Sequence, residues 1–256
     1  MSSKQSFFAV IPARYDSVRL PGKPLADING RPMIAWVYER ACESGAAETI
    51  IATDDERIAE TCARFGAPVE MTSAEHSTGT DRIAEVAERR GWDDERIVVN
   101  VQGDEPLIPP ALIAQVADLA AEDPGAAIAT LMTPIKSIQD RENTNFAKVV
   151  VNEAGRALYF SRAPIPWPRE GGLPTSYRHI GLYAYRVRAL REIAATEPCE
   201  LEQIERLEQL RALWLGLGIA VAQAVEPPPP GVDTADDLVA VREHLAGRHR
   251  RTIANA

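Results

Sequence analysis

Apolar runs alternate with amphipathic stretches along the first half of the chain. Short apolar runs predict strands at 7–11, 49–52, 69–71, 97–101 and 127–132, and helical periodicity lies between them near 32–44, 54–65, 80–90 and 110–121. Strands that alternate with helices are typical of an α/β fold with a parallel sheet and right-handed crossovers. We therefore expect a Rossmann-like, mostly parallel sheet flanked by helices, with ligands at the carboxyl ends of its strands.

The pattern changes in the middle of the chain. Apolar stretches at 147–151 and 157–161 flank a turn and predict a β-hairpin. A loop rich in proline and glycine follows, and a further strand is predicted at 179–185. We expect the block at about 140–185 to be an antiparallel insertion or a dimer-forming arm, within a single domain that spans 1–256.

Helical periodicity returns in the last third of the chain, at 187–196 and 200–213. A late strand is predicted at 219–224, and a last helix begins near Thr234. The final residues, about 247–256, are few and partly basic, so we expect a flexible tail there.

Composition and charge limit the class of protein. The chain has 256 residues, of which 45% are hydrophobic, and a formal net charge of −9. An acidic chain argues against a nucleic-acid partner, because such proteins usually carry a basic stripe. A membrane-spanning helix needs roughly 20 apolar residues, and the apolar runs here are shorter. We therefore predict a cytoplasmic protein without a nucleic-acid or membrane partner.

A basic loop follows the first predicted strand. Residues 11–24 carry Arg14, Arg19 and Lys23 against a single acid, Asp16, in a chain of net charge −9. Backbone N–H groups of such a loop can cradle phosphates while the cations offset their charge. The loop is not a P-loop, because proline follows its Gly-Lys pair where that motif has Ser or Thr. It predicts a ligand such as a nucleoside triphosphate; the alternative is a solvated basic turn.

Two aspartates are candidate metal ligands. Asp104 follows a predicted buried strand and Gly103, so it belongs at the carboxyl edge of the sheet. Asp233 precedes the last helix, which Thr234 and Asp237 can cap. Magnesium prefers one or two carboxylates together with phosphate oxygens and waters. The alternatives are an aspartate that starts a turn and an acid that favours the helix dipole.

A third segment, residues 76–82, lies between a predicted strand and a predicted helix. Its small hydroxyl residues and Gly79 suit a close contact with a base or a ribose. An ordinary helix-capping loop would have the same composition.

Together these segments resemble the 3-deoxy-manno-octulosonate (Kdo) cytidylyltransferase family over residues 7–245. The motifs that carry the resemblance are Ile-Pro-Ala-Arg with Arg-Leu-Pro-Gly-Lys-Pro-Leu, Asn-Val-Gln-Gly-Asp-Glu-Pro, Leu-Tyr-Phe-Ser-Arg, Arg-His-Ile-Gly, Leu-Glu-Gln-Leu-Arg and Gly-Val-Asp-Thr. The sequence departs from the family at Thr78, where serine is usual, and in the loop 143–148.

The resemblance implies a fold of the nucleotide-diphospho-sugar transferase type and a homodimer. It also implies transfer of CMP from CTP to the anomeric hydroxyl of Kdo for lipopolysaccharide biosynthesis, with release of pyrophosphate and with Mg²⁺ as cofactor. The implied catalytic residues are Arg14, Lys23 and the two magnesium ligands, Asp104 and Asp233. Around the nucleotide it implies Pro12, Ala13, Arg14, Arg19, Lys23, Thr78, Gly79, Thr80, Arg82 and Gln102. Around the sugar acid it implies Gln102, Arg162, Arg169, His179, Tyr183, Glu208 and Gln209.

Other functions stay open at this point. A CMP-sialic acid synthetase or an enzyme for an 8-amino analogue of Kdo would use similar residues, and a non-catalytic nucleotide-sensing module could share the fold. From the residues alone, His179 is a structural histidine. The resemblance suggests the hypothesis that it hydrogen-bonds sugar hydroxyls and is not a general base.

Overall fold

The structure is a computed structural model that describes residues 6–16, 19–76 and 78–254, with side chains up to Gly247. The strands are β1 (Phe7–Ala13), β2 (Asp27–Ile28), β3 (Arg31–Pro32), β4 (Glu48–Thr53), β5 (Val69–Met71), β6 (Ile97–Asn100), β7 (Ile128–Pro134), β8 (Lys148–Val151), β9 (Ala157–Ser161), β10 (Tyr177–Arg186) and β11 (Ile219–Gln223). The helices are α1 (Met33–Glu43), α2 (Glu56–Arg64), α3 (Gly79–Arg89), α4 (Pro110–Glu122), α5 (Ile138–Glu142), α6 (Val187–Ala194), α7 (Glu200–Glu205), α8 (Gln209–Trp214) and α9 (Ala235–Ala254).

The main sheet is mostly parallel, with a strand order of β11-β7-β10-β6-β1-β4-β5. Strand β1 pairs in parallel with β4 and β6, and β11 pairs in parallel with β7. Strand β10 runs antiparallel to both of its neighbours, β6 and β7. The predicted Rossmann-like α/β fold is therefore confirmed, and its sheet is mixed.

The central strands are apolar because both faces of the sheet are covered. Successive side chains of a strand point to opposite faces, so Val10 and Ile11 enter two different hydrophobic clusters. Val98 and Val99 of β6 divide between the clusters in the same way. Strands that are buried on both faces read as continuous apolar runs, which is why the sequence predicts them well.

The antiparallel block is joined to the main sheet. Strands β8 and β9 form the predicted hairpin, and β8 pairs with the start of β10. Strand β10 itself is central in the sheet, although the sequence groups its residues with the insertion. Hydrogen bonds between distant segments decide this placement, and a local apolar pattern does not record them.

The structure differs from the sequence-based elements in several places, and α5 has no counterpart among the predicted helices. The helix predicted at 200–213 is interrupted at Arg206, whose φ of 55° is left-handed, and forms α7 and α8. Strands β2 and β3 have two residues each, which is too short for an alternation of apolar and polar residues to be seen in the sequence. Helix α9 extends to Ala254 and so includes most of the segment expected as a flexible tail; residues 255–256 lie outside the described part. Within the described residues, none of the helices has the length and apolar character to span a bilayer.

Candidate active site

Three residues that are far apart in sequence meet at the carboxyl edge of the sheet. The Lys23 ammonium donates to Asp104 Oδ2 at 2.7 Å and to Asp233 Oδ1 at 3.2 Å. It also donates to the backbone oxygen of Val232 at 3.0 Å. Because both carboxylates reach one nitrogen atom, they are close enough to share a single ion. The convergence expected from the sequence is present.

A close approach of two loops fixes Asp104. A Cβ atom at Gly103 would lie 2.9 Å from the backbone oxygen of Pro12, so this position requires glycine. The Val232 N–H donates to the backbone oxygen of Asp104 at 2.8 Å, which ties the loop after β6 to the loop before α9. The main chain therefore brings the two aspartates together.

The predicted cap of the last helix is formed by Thr234 and Asp237 and does not use the Asp233 carboxylate. The Asp237 carboxylate accepts the N–H groups of Asp233 and Thr234 at 3.0 and 2.8 Å. The Thr234 hydroxyl accepts the Asp237 N–H at 3.2 Å. The hydrogen bond from Thr234 lowers the pKa of Asp237, because it favours the ionised carboxylate. The Asp233 carboxylate instead binds Lys23 and Arg19, the latter at 3.0 Å.

The oxygens at this point suit a hard divalent cation. Two carboxylates and the Val232 carbonyl surround one positive charge, here the Lys23 ammonium. Magnesium commonly takes one or two carboxylates and completes its shell with phosphate oxygens and waters. Among the described residues, no cluster of three or more His, Cys, Asp or Glu could hold a metal alone. Asp104 and Asp233 therefore fit magnesium when a phosphorylated ligand supplies further oxygens.

A cavity of about 260 Å³ opens beside Lys23. Seven residues of the predicted nucleotide set line it: Pro12, Ala13, Arg14, Lys23, Gly79, Arg82 and Gln102. Arg19, Thr78 and Thr80 are not among its lining residues. Arg19 binds Asp233 at the exposed side, with 65% of its side chain exposed, so it is near the site.

The segment 78–80 forms the start of α3. The Thr78 hydroxyl accepts the Asp81 N–H at 3.1 Å, and the Asp81 carboxylate accepts the Thr78 N–H at 3.2 Å, which makes a capping box. A Cβ atom at Gly79 would lie 3.2 Å from Pro12 Cγ. Thr78 is thus a helix cap, while Gly79 lets α3 approach the first strand at the cavity wall.

Arg82 lines this cavity as a buried residue that protein groups already bind. Its side chain is fully buried, and it forms an ion pair with Asp54 at 2.9 Å. It also donates to the Thr72 hydroxyl. A buried arginine held in this way shapes the wall of the cavity and is not a free cation.

A second cavity, of about 480 Å³, adjoins the first. Gln102 and Asp104 line both cavities, so the two form one cleft. Six residues of the predicted sugar set line the second cavity: Gln102, Arg162, His179, Tyr183, Glu208 and Gln209. Thr80 and Glu208 also line the second cavity, where the Thr80 hydroxyl donates to Glu208 Oε2 at 2.9 Å. Arg169 is exposed in the proline-rich loop and does not line the cavity.

His179 is a buried, neutral histidine. The Thr130 hydroxyl lies 3.0 Å from the backbone oxygen of Ile180, 2.8 Å from that of Leu182 and 3.0 Å from His179 Nε2. We assign its one proton to a carbonyl, so that Thr130 accepts from His179 Nε2. This assignment leaves Nδ1 as a hydrogen-bond acceptor. Burial lowers the pKa of His179 to about 3, which makes it a poor base.

Arg162 is engaged by the main chain. Its Nε donates to the carbonyl of Glu205 at 2.7 Å, and its terminal nitrogens donate to those of Thr144 at 3.0 Å and Arg206 at 3.3 Å. Arg162 thus holds the hairpin against the break between α7 and α8. Its guanidinium orders the rim of the second cavity through backbone carbonyls.

Residues 8–219 match the model of the cytidylyltransferase family. The chain belongs to this family. It is 56% identical to the 3-deoxy-manno-octulosonate cytidylyltransferase of Hahella chejuensis, over 94% of this chain and 98% of that protein. It is 54% identical to that of Vibrio vulnificus, over 95% of this chain and 99% of that protein. The resemblance found from the motifs is confirmed.

A solved member of the family shares the fold. It is CMP:2-keto-3-deoxy-manno-octonic acid synthetase in complex with CTP, with a TM-score of 0.89 and 42% sequence identity. The match covers 95% of this chain and all of that one.

Sequence reasoning missed two polar residues of the second cavity, Asn100 and Glu105. Asn100 Oδ1, like Nε2 of the predicted residue Gln209, is buried and has no hydrogen-bond partner among the described residues. Buried amide atoms are usually paired, so both point to a ligand. Desolvation, with the charge of Asp104, raises the pKa of Glu105 to about 8. A polar residue that ends an apolar strand, as Asn100 does, is the signal that could have found this group.

Proposed function

We propose that this cytidylyltransferase moves CMP from CTP to the anomeric hydroxyl of Kdo. The hydroxyl oxygen forms a bond to the α-phosphorus, the bond from that phosphorus to the β-phosphate oxygen breaks, and pyrophosphate leaves with the electron pair. The hydroxyl proton passes to solvent. The observation that carries the proposal is the convergence of Asp104 and Asp233 on Lys23, where the two cavities meet.

The smaller cavity suits the nucleotide. Arg14 and Lys23 line it and supply positive charge for a triphosphate, as the basic loop predicted. Phosphoryl-type transfer needs in-line positioning and charge stabilisation more than covalent help from the protein. Rigid walls at Gly79 and Gly103, both in close contact with Pro12, provide the positioning.

Asp104 and Asp233 are the residues that would hold magnesium. When bound, the ion polarises phosphate oxygens and lowers the pKa of a coordinated hydroxyl. Lys23 holds both carboxylates in place and contributes charge beside the leaving phosphates. Thus the sugar hydroxyl and the α-phosphate would meet beside Asp104, the acid that both cavities share.

The larger cavity suits an acidic sugar. Gln209, whose Oε1 accepts the Tyr183 hydroxyl at 3.0 Å, keeps Nε2 for a ligand. Neutral His179 offers Nδ1 as an acceptor for a sugar hydroxyl. This assignment supports the hypothesis that His179 binds sugar and does not take up the proton.

We also propose a homodimer that acts in the cytoplasm without a nucleic-acid or membrane partner. Large apolar side chains are exposed on the insertion, at Leu158 (58%), Trp167 (76%) and Leu173 (42%). Exposed apolar surface of this kind favours a protein interface. Light scattering of the wild-type protein and of Trp167→Asp tests it: the wild type should have twice the chain mass, and the variant should shift toward the monomer. A monomeric wild type contradicts the dimer.

The proposed activity is tested by pyrophosphate release with CTP, Mg²⁺ and a panel of sugar acids. We expect turnover with Kdo and little with sialic acid or without a sugar. A preference for sialic acid would show that the protein is a CMP-sialic acid synthetase, and a preference for the 8-amino analogue would show that it acts on that analogue. Binding of CTP with no turnover on any sugar acid would support the nucleotide-sensing module.

A further inference from the structure

Arg178 is a cation of the larger cavity to which no role has been assigned. It lies on β10 beside His179 and lines the cavity. Its guanidinium carbon is 3.9 Å from the centre of the Phe146 ring. Among the described residues, this guanidinium has no hydrogen-bond or ion-pair partner. The nearby charges that act on it are those of Glu105 and Asp140.

The setting of Arg178 differs from that of the other arginines in the cavity. Arg162 donates hydrogen bonds to three backbone carbonyls. Arg206 is exposed, so water solvates its charge. Arg178 is partly buried, and this burial lowers its pKa by penalising the charged form. A partly desolvated guanidinium whose donors lack a protein partner is typical of a ligand-binding group.

Stacking on Phe146 prepares Arg178 for a planar anion. Contact with a ring face fixes the plane of the guanidinium and leaves its edge N–H groups available. A carboxylate matches that edge with two parallel hydrogen bonds. Two carboxylates that line the same cavity, Asp104 and Asp233, would repel a bound carboxylate that had no cation beside it.

We propose that Arg178 binds the carboxylate of the sugar acid and so selects acids over neutral sugars. This inference rests on the proposed function, because it presumes that the larger cavity holds the sugar. The resemblance places Arg162 and Arg169 around the sugar acid, and this inference adds Arg178 as the residue that binds its carboxylate.

The kinetic test replaces Arg178 with methionine, which keeps an unbranched side chain and removes the charge. With CTP saturating, we expect the KM for Kdo to rise by about 30-fold or more, as for the loss of a charged, bidentate partner. The KM for CTP should stay within about twofold, because Arg178 lies outside the nucleotide cavity. Arg188→Met is the matched control: it removes one exposed arginine, paired with Glu95, and should change neither constant.

A change in the substrate gives the sharper test. Kdo and its neutral methyl ester are compared by kcat/KM in the wild type, Arg178→Met and Arg178→Lys. We expect the preference for the acid to fall at least about tenfold in Arg178→Met and to be partly kept in Arg178→Lys, since lysine retains the charge and loses the fork. A purely structural role would lower both rates equally and leave their ratio unchanged.

The outcomes separate this inference from the proposed function. A wild type that releases no pyrophosphate with Kdo would overturn the function itself. If the wild-type protein turns over Kdo but the ratio of kcat/KM for the acid to that for the ester is the same in Arg178→Met as in the wild type, only the role of Arg178 is overturned. If Arg178→Met does not fold, the ratio in Arg178→Lys decides, and a value equal to that of the wild type overturns the role.

Discussion

The Lys23 ammonium lies 2.7 Å from Asp104 Oδ2, although 81 residues separate the two in sequence. Only 15% of the Lys23 side chain is exposed, against 35% for Asp104. This ion pair joins the basic loop after β1 to the loop after β6. Because it lies where the two cavities meet, changes to either residue should affect chemistry more than folding.

Asp104→Asn should lower turnover by about 10²-fold or more, because it removes the charge of one of the two residues that we propose hold magnesium. Pyrophosphate release at saturating CTP and Kdo measures this. Asp236→Asn, an exposed acid in the first turn of α9, is the matched control and should be near wild type. Nearly normal turnover in Asp104→Asn would remove this residue from the metal site.

Lys23→Ala should weaken the use of CTP and strengthen metal binding in the absence of nucleotide. The first effect follows from the loss of charge for the triphosphate, and shows as a lower kcat/KM at limiting CTP. The second follows because the ammonium occupies oxygens of Asp104 and Asp233 that a divalent cation would use. Titration with Mn²⁺ followed by electron paramagnetic resonance measures it, with Lys136→Ala as control.

If Lys23→Ala and the wild type have the same kcat/KM at limiting CTP, the nucleotide role of Lys23 is contradicted. If Lys23→Ala binds Mn²⁺ no more tightly than the wild type does, competition between the ammonium and the metal is contradicted. The two results are independent, so either role can fail alone.

His179→Gln should keep the acidic limb of the pH–rate profile, because a histidine with a pKa of about 3 is neutral throughout the working range. It should also change how stability depends on pH. In the unfolded state the histidine has a pKa of about 6.5 and binds a proton, whereas in the folded state it stays neutral. The free energy of unfolding therefore falls as pH drops below about 6.5.

The size of that effect follows from linkage. Between pH 6.5 and pH 5 the wild type should lose about 1.5 kcal/mol through this one group, and His179→Gln should lack that loss. Urea unfolding at the two pH values measures the difference. Parallel pH dependence in the two proteins would show that His179 is not held neutral, and a lost acidic limb would restore it as a base.

Gly103→Ala should displace the loop that carries Asp104. Its Cβ would lie 2.9 Å from the Pro12 carbonyl oxygen, which is a backbone atom with little freedom to move. We expect turnover to fall at least about tenfold, as for a misplaced reacting group. Gly247→Ala, where a Cβ atom meets nothing within 4 Å, is the control and should be neutral or stabilising. Wild-type turnover in Gly103→Ala would show that the loop tolerates the shift.

The sequence by itself determined the elements whose patterns are local. Buried strands such as β1 and β6 read as apolar runs because both of their faces are covered, and the basic loop and the two aspartates stand out by charge and spacing. The cap at Thr234 and Asp237 is also local, since both partners lie within one helical turn. Short-range sterics and solvation decide such features, so the residues alone record them.

Only the tertiary structure decided which groups meet. The antiparallel position of β10, the break at Arg206 and the union of Lys23 with both aspartates depend on contacts between segments far apart in sequence. The same holds for the arginines: Arg162 is engaged by backbone carbonyls, and Arg178 faces the cavity. A guanidinium carries the same charge in either setting, and only its neighbours in space determine whether its donors are available to a ligand.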